Sequence, residues 1–262
     1  MTPDASVATA LALLAVDPAL GGLVLIGVDG WALEPWAARL AALLGGPAGV
    51  LRLPATITPE HLLGGLDLPA SLQQGRRVRR TGVLAAHDGG VLWIPDPDLL
   101  APEIAGPLAA VLRRGRVHLE RDGIGAHDPA RLVLLATMTA PGPPRYPALL
   151  EPAGLWLAAP DPDPRLPAGL EPAIVAARAR LPTVTIADTQ IAALAATALR
   201  LGVEGVQADY LAARTARAAA ALAEHARVEA ADLELAIALV IAPRASGAAP
   251  AQTRQPAPPE QT

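Results

Sequence analysis

The sequence predicts an α/β fold: a mainly parallel sheet covered by helices, with an inserted β-hairpin, followed by a small all-helical domain. Three observations predict it. Short apolar runs bounded by turn residues alternate with helix-like segments through the first part of the chain. The pair Asp122-Gly123 stands between two stretches of alternating side chains. Beyond a Pro-rich passage, apolar residues recur at helical spacing.

In chain order, buried strands are expected at Leu23 to Ile26, Val50 to Leu53, Val91 to Ile94, Leu132 to Ala136 and Leu155 to Ala158. Their length and flanks favour strands over helix segments. Between them, Leu33 to Leu44, Thr81 to His87 and Leu99 to Arg114 read as helices, the last with Asp98 near its N-cap. Gly115 to Ala130 reads as a hairpin turning at Asp122-Gly123, inserted just before the Leu132 strand. Ala159 to Pro167 is Pro-rich, and Asp161-Pro162-Asp163-Pro164 within it reads as a stiff hinge. Four helices follow, over 170–181, 187–201, 208–226 and 230–241, with Gly202 and Gly205 as breaks and Asp188, Asp209 and Asp232 near helix starts. The expected division is a core over 1–165, a helical domain over 166–243 and a flexible Pro-rich linker over 244–262. A linker leading nowhere implies an N-terminal piece of a longer protein.

Composition narrows the function classes. The chain has 262 residues and 26.7 kDa, enough to bury a full core. Its mean hydropathy of +0.35 comes from alanine and leucine spread through charged sequence. The longest uncharged apolar stretches, Ser6 to Val16 and Pro18 to Val28, fall short of the roughly 20 residues a membrane helix needs. The N-terminus lacks the basic region of a secretory signal and there is no cysteine, so the expected location is the cytoplasm. A net charge of −4 argues against a nucleic-acid binder, and the run Arg76-Arg77-Val78-Arg79-Arg80 reads as a solvated loop. Arg113, Arg114 and Arg116 read as solvated too. His61, His87, His118, His127 and His225 show no metal-ligand spacing and read as surface or turn residues, so no metal site is expected.

The chemistry-bearing stretch is residues 23 to 34, Leu-Val-Leu-Ile-Gly-Val-Asp-Gly-Trp-Ala-Leu-Glu. It reads as a phosphate-binding loop that has lost its lysine. Such a loop needs glycines for backbone approach to phosphate, then a lysine and a hydroxyl for the β/γ-phosphates and Mg²⁺. Gly27 and Gly30 remain, with Asp29 between them, but Leu33 and Glu34 occupy the lysine and hydroxyl positions. All 21 basic residues of the chain are arginine, yet the replacement at position 33 is not arginine. A hydrolysing domain of this layout also ends its third apolar strand in an acidic pair. Here Pro95 takes the metal-binding position and Asp96 the water-activating one.

Leu62-Leu63-Gly64-Gly65-Leu66-Asp67-Leu68, Gly75-Arg76, Gly82-Val83-Leu84-Ala85-Ala86, Gly89 to Ile94 and Asp98-Leu99-Leu100 resemble the AAA+ module shared by the I and D subunits of magnesium chelatase. Pro129 to Met138 and Arg145 to Leu155 continue the resemblance in order, over roughly residues 8 to 243. It implies a P-loop-type AAA+ core with a helical lid. In the catalytic I subunit the family pattern has an intact phosphate loop, an Asp-Glu pair, a sensor asparagine and an arginine finger. The corresponding positions here hold Leu33 and Glu34, Pro95 and Asp96, Thr139 and Pro152, and Gln207 replaces the arginine of a second sensor. With the scaffold motifs kept and these positions lost, the chain resembles the D subunit.

The resemblance implies a non-hydrolysing platform in a homo-oligomeric ring. It would pair with the ATP-hydrolysing I subunit, and transiently with the large porphyrin-binding H subunit, for Mg²⁺ insertion into protoporphyrin IX. No cofactor is then expected in this chain, ATP and Mg²⁺ being used by the partner. Arg145, Arg214 and Arg217 are the arginines left to reach a neighbour's nucleotide, or else to serve as structural ion-pair partners. Two other readings stay open: a working ATPase of the MoxR-like chaperone group, and a cobalt-chelatase subunit of the same architecture.

Overall fold

Helix α1 (Val7–Val16) opens the fold, capped by Ser6, whose hydroxyl accepts from the Thr9 amide. In this computed structural model, residues 5–28, 30–121, 124–139, 143–158, 170–203 and 205–245 are described. Asp29, the Asp122-Gly123 turn, the Asp161 to Pro164 hinge and the linker beyond residue 245 lie outside them. After α1 come β1 (Gly22–Ile26), a 3-10 turn (Gly30–Leu33), α2 (Glu34–Leu44), β2 (Val50–Arg52), α3 (Pro59–Leu63), β3 (Gly64–Leu66) and α4 (Leu68–Gln74). Then follow β4 (Arg79–Thr81), α5 (Val83–Ala86), β5 (Val91–Ile94), α6 (Pro102–Arg114), β6 (Arg116–Arg121), β7 (Ile124–Pro129), β8 (Val133–Met138), α7 (Pro147–Leu150) and β9 (Leu155–Ala158).

Five strands form one parallel sheet in the order β2-β5-β8-β1-β9. Because side chains alternate along a strand, each strand feeds two cores. Leu23, Leu25, Trp93, Leu135 and Leu155 join a cluster with α1, α2 and the C-terminal helices. Val24, Leu92, Ile94, Leu134 and Ala136 join a second cluster with α6 and the β6–β7 hairpin. Both faces are thus covered, as a parallel sheet requires.

The C-terminal helices are α8 (Leu170–Arg180), α9 (Asp188–Arg200), α10 (Val206–Leu222) and α11 (Ala230–Ala236), the last running into a π-helical turn (Ile237–Ile241) and a 3-10 turn (Ala242–Arg244). Arginines bind this region to the sheet layer. Arg178 donates to Ala15 O at 2.5 Å and Leu43 O at 2.6 Å, meeting the unpaired carbonyls at the ends of α1 and α2. Arg244 donates to Gly154 O at 3.0 Å, and to Val240 O and Ala153 O, and lies 5.1 Å from the Trp156 ring centre. Burial pushes its guanidinium down to about 10, because the charged form loses water.

Several expected boundaries move, each for a local reason. Pro97–Leu99 forms a separate 3-10 turn, and α6 starts at Pro102, where proline's missing N–H costs nothing. Asp98 therefore does not cap α6; the N-cap is Ala101. Thr81 belongs to β4, leaving a one-turn α5. Helix α10 runs 206–222 instead of 208–226. Elements beyond expectation include α1, the short helices α3, α4 and α7, and an antiparallel β3–β4 ribbon that takes Arg79 and Arg80 out of the presumed loop. No helix among the described residues is long and apolar enough to cross a membrane.

Candidate functional site

Strand β8 lies between β1 and β5, so the carboxyl ends of these three strands meet at one edge of the sheet. That edge is where α/β folds bind ligands, and it gathers most of the sequence-predicted site. Gly27 follows β1 with φ +81°, a left-handed conformation that glycine adopts without strain. Its N–H donates to Met138 O at 2.8 Å and extends the sheet, so this amide is spent on the fold instead of a phosphate. Gly30 sits against the end of β5. A Cβ added there would lie 2.5 Å from Pro95 Cβ and 3.2 Å from Thr137 Oγ1. The loop therefore closes directly on the pyrrolidine ring of Pro95.

Leu33 completes the 3-10 turn and is 0% exposed, packed in the apolar cluster with Val28, Trp36 and Leu40. The position expected from the sequence to carry a phosphate-binding lysine is thus filled by a core side chain. Burying a leucine stabilises by about 1.5–3 kcal/mol. Glu34 is exposed in the first turn of α2, whose N-cap makes no side-chain hydrogen bond. A carboxylate at this point complements the positive end of the helix dipole, by about 0.3–1 kcal/mol. The same end would otherwise attract phosphate.

Asp96 takes a left-handed backbone, φ 55° and ψ 77°. Its N–H donates to Thr137 Oγ1 at 3.2 Å, and Thr137 is buried in β8. Thr137 thus ties the end of β5 to β8 from a place close beside Gly30, and it was not among the residues expected at the site. Thr139, the predicted sensor position, is exposed beyond the end of β8. These residues do not fit a Mg²⁺–nucleotide: position 33 has no cation, the end of β5 has proline at the metal position, and a carboxylate occupies the helix N-terminus.

The three arginines expected at a subunit boundary all make contacts within the chain. Arg214 forks onto the buried Asp17 and donates to Tyr210 OH at 2.7 Å. These hydrogen bonds, Asp17's first, hold its guanidinium above the ordinary arginine value. Arg217 donates to Val184 O and Leu181 O, each at 3.1 Å. Arg145 stays exposed, but its amide donates to Asp98 Oδ1 at 2.9 Å and its guanidinium to Asp98 O at 3.0 Å. Gln207 is exposed in the first turn of α10, and Pro152 follows α7 in a turn.

His118 and His127, read as surface residues without metal-ligand spacing, are exposed and face each other across the β6–β7 hairpin beside Glu120. The pairing was readable in the sequence, since 118 and 127 are equidistant from the Asp122-Gly123 pair.

A family model described as "AAA lid domain" matches residues 191–262. The 67 kDa subunit of magnesium chelatase from Chlorobaculum parvum is 34% identical over 90% of this chain and 42% of its own length. The 38 kDa magnesium-chelatase subunit of Rhodobacter capsulatus is 27% identical over 81% of this chain and 77% of its own. A crystal structure from Cytophaga hutchinsonii, assigned as an ATPase, superposes with a TM-score of 0.59 at 13% identity, covering 90% of this chain and 80% of that one. The chain is AAA+ in fold and magnesium-chelatase-like in sequence. This AAA+ module spans 42% of the 67 kDa relative, less than half its length.

Proposed function

We propose that this AAA+ module is the non-hydrolysing platform of a magnesium-chelatase subunit of the D type. It assembles into a ring, pairs with an ATP-hydrolysing I-type subunit, and serves ATP-dependent insertion of Mg²⁺ into protoporphyrin IX on a large H-type subunit. Arg145 remains available at the surface for a neighbouring subunit, whereas Arg214 and Arg217 serve the fold.

The observation that carries the reading is the fate of position 33. A lysine there reaches phosphate, and here a leucine is sealed in the core while the loop rests on Pro95. A site that loses its cation, its metal ligand and the free positive end of its helix together keeps little electrostatic stabilisation for phosphoryl transfer. What persists is the scaffold that presents a AAA+ surface to neighbours. The 34% identity to the 67 kDa subunit supports the chelatase assignment.

The test has two parts. ATP turnover by the isolated chain is expected at background, and turnover above background overturns the non-hydrolysing reading. Mixing with an I-type subunit and ATP, followed by light scattering on a sizing column, is expected to give a joint assembly. Separate elution of the two proteins overturns the platform reading.

A further inference from the structure

We propose that the outer face of the β6–β7 hairpin is a binding site for a divalent transition metal, held by His118, His127 and Glu120. The strand register places His118 opposite His127, with their Nδ1 atoms 2.9 Å apart and ring centres 4.3 Å apart. Glu120, two residues along the same face, brings Oε1 to 3.4 Å from His118 Nε2. One donor atom from each of the three residues lies within 4.8 Å of the others.

The hairpin is built to hold this face outward. Its alternate residues Val117, Leu119 and Ala126 are buried in the core against α6. Asp128, in turn, binds Arg79 of the β3–β4 ribbon. A one-residue slip would reverse both faces, so the buried side fixes the register of the exposed one. The two imidazoles are therefore brought together by the core and not by each other.

Two neutral imidazole nitrogens at hydrogen-bond distance share one proton, one ring donating and the other accepting. A metal replaces that proton and takes both lone pairs, and Glu120, which rests against His118 Nε2 on the other side of that ring, joins it by turning its exposed side chain toward the Nδ1 pair. Two nitrogens bound tetrahedrally at about 2.0–2.1 Å stand about 3.3 Å apart, so the rings need to part by only about 0.4 Å. Two imidazoles and one carboxylate suit Zn²⁺, Ni²⁺ or Cu²⁺, and not Mg²⁺, which prefers oxygen ligands in an octahedron. Three protein ligands leave a coordination position for water or for a donor from another molecule.

The test is calorimetric titration of the untagged full chain with Zn²⁺, with Mg²⁺ run in parallel. One Zn²⁺ per chain is expected, weakened in His118→Ala and in His127→Ala by more than the about 10- to 100-fold that losing a residue behind a ligand costs, and less in Glu120→Gln, with metal-free melting temperatures unchanged. Absence of Zn²⁺ binding, equal binding of Mg²⁺, or Zn²⁺ binding that survives the double alanine variant overturns the site. Co²⁺ added to the parent chain provides a readout independent of any variant. An intense visible absorption band at one equivalent is expected from tetrahedral coordination, and its absence also counts against the site.

Discussion

Arg214 grips Asp17 with both arms of its fork, Nε 2.9 Å from Oδ2 and Nη2 2.6 Å from Oδ1, across 197 residues of sequence. Asp17 is buried and ends α1 through its own N–H, which donates to Leu13 O, while its carboxylate accepts from the Ala19 amide, starting the turn into β1, and anchors α10 through Arg214. Removing the cation would leave a buried charge without its partner.

Arg214→Ala is accordingly expected to lower unfolding stability by about 2–4 kcal/mol, part of the pair's worth being screened at the partly exposed arginine. Arg214→Lys keeps the charge but loses the fork and should recover less than half of that. Urea denaturation of both variants measures it. Equal stability of Arg214→Ala and the parent chain would refute the anchoring role.

The contact between Gly30 and Pro95 gives a second prediction. Gly30→Ala pushes a Cβ to 2.5 Å from Pro95 Cβ and should destabilise by about 1–3 kcal/mol. In a Pro95→Gly background the same change should be milder, with a coupling of about 0.5–3 kcal/mol in a double-mutant cycle. Additive effects would mean that the loop does not rest on the ring.

Restoring the missing motif should fail. Leu33→Lys combined with Glu34→Thr inserts an ammonium into an apolar core and is expected to cost about 2–4 kcal/mol. It should confer no affinity for a fluorescent ATP analogue, because Pro95 still fills the metal position. Tight Mg²⁺-dependent binding by the double variant would show that the loop can reopen.

Acid stability should report Asp88. Arg131, which donates to both carboxylate oxygens at 3.2 Å and 2.8 Å and through its own amide at 2.7 Å, holds Asp88 below the usual aspartate value. A depressed carboxylate contributes stability that is complete above its unfolded value near 3.8 and is lost as pH falls through the lower folded value. Melting curves between pH 2 and 5 should therefore fall less steeply for Asp88→Asn than for the parent chain. Identical acid limbs would remove Asp88 from the account.

The sheet was legible because its strands are buried on both faces and read as unbroken apolar runs, as in Val91-Leu92-Trp93-Ile94. Helix α1 was not. Its sequence VATALALLAV is apolar almost all round, with eight of ten residues buried, so no stripe separates it from a buried strand. The β3–β4 ribbon escaped because Gly64 and Gly65 have no side chains to alternate, while Arg79, Arg80 and Thr81 are all exposed. At the candidate site, the missing lysine was readable in Leu33, but its burial was not, nor was Thr137's bond to Asp96 across 41 residues. The pairing of His118 with His127 was not legible as spacing along the chain, because it runs across a hairpin.

Arg178 has a mechanical consequence. Its single guanidinium holds a last-turn carbonyl of α1 and one of α2 at once, and α2 grows directly out of the turn that carries Gly30 and Leu33. A tilt of α8 must pull on both helix ends together, as a tie rod loads two beams, or break two charge-assisted bonds to escape them. Three helices, α1, α2 and α8, are thereby tied at one guanidinium, and the turn carrying Gly30 and Leu33 leads straight into one of them.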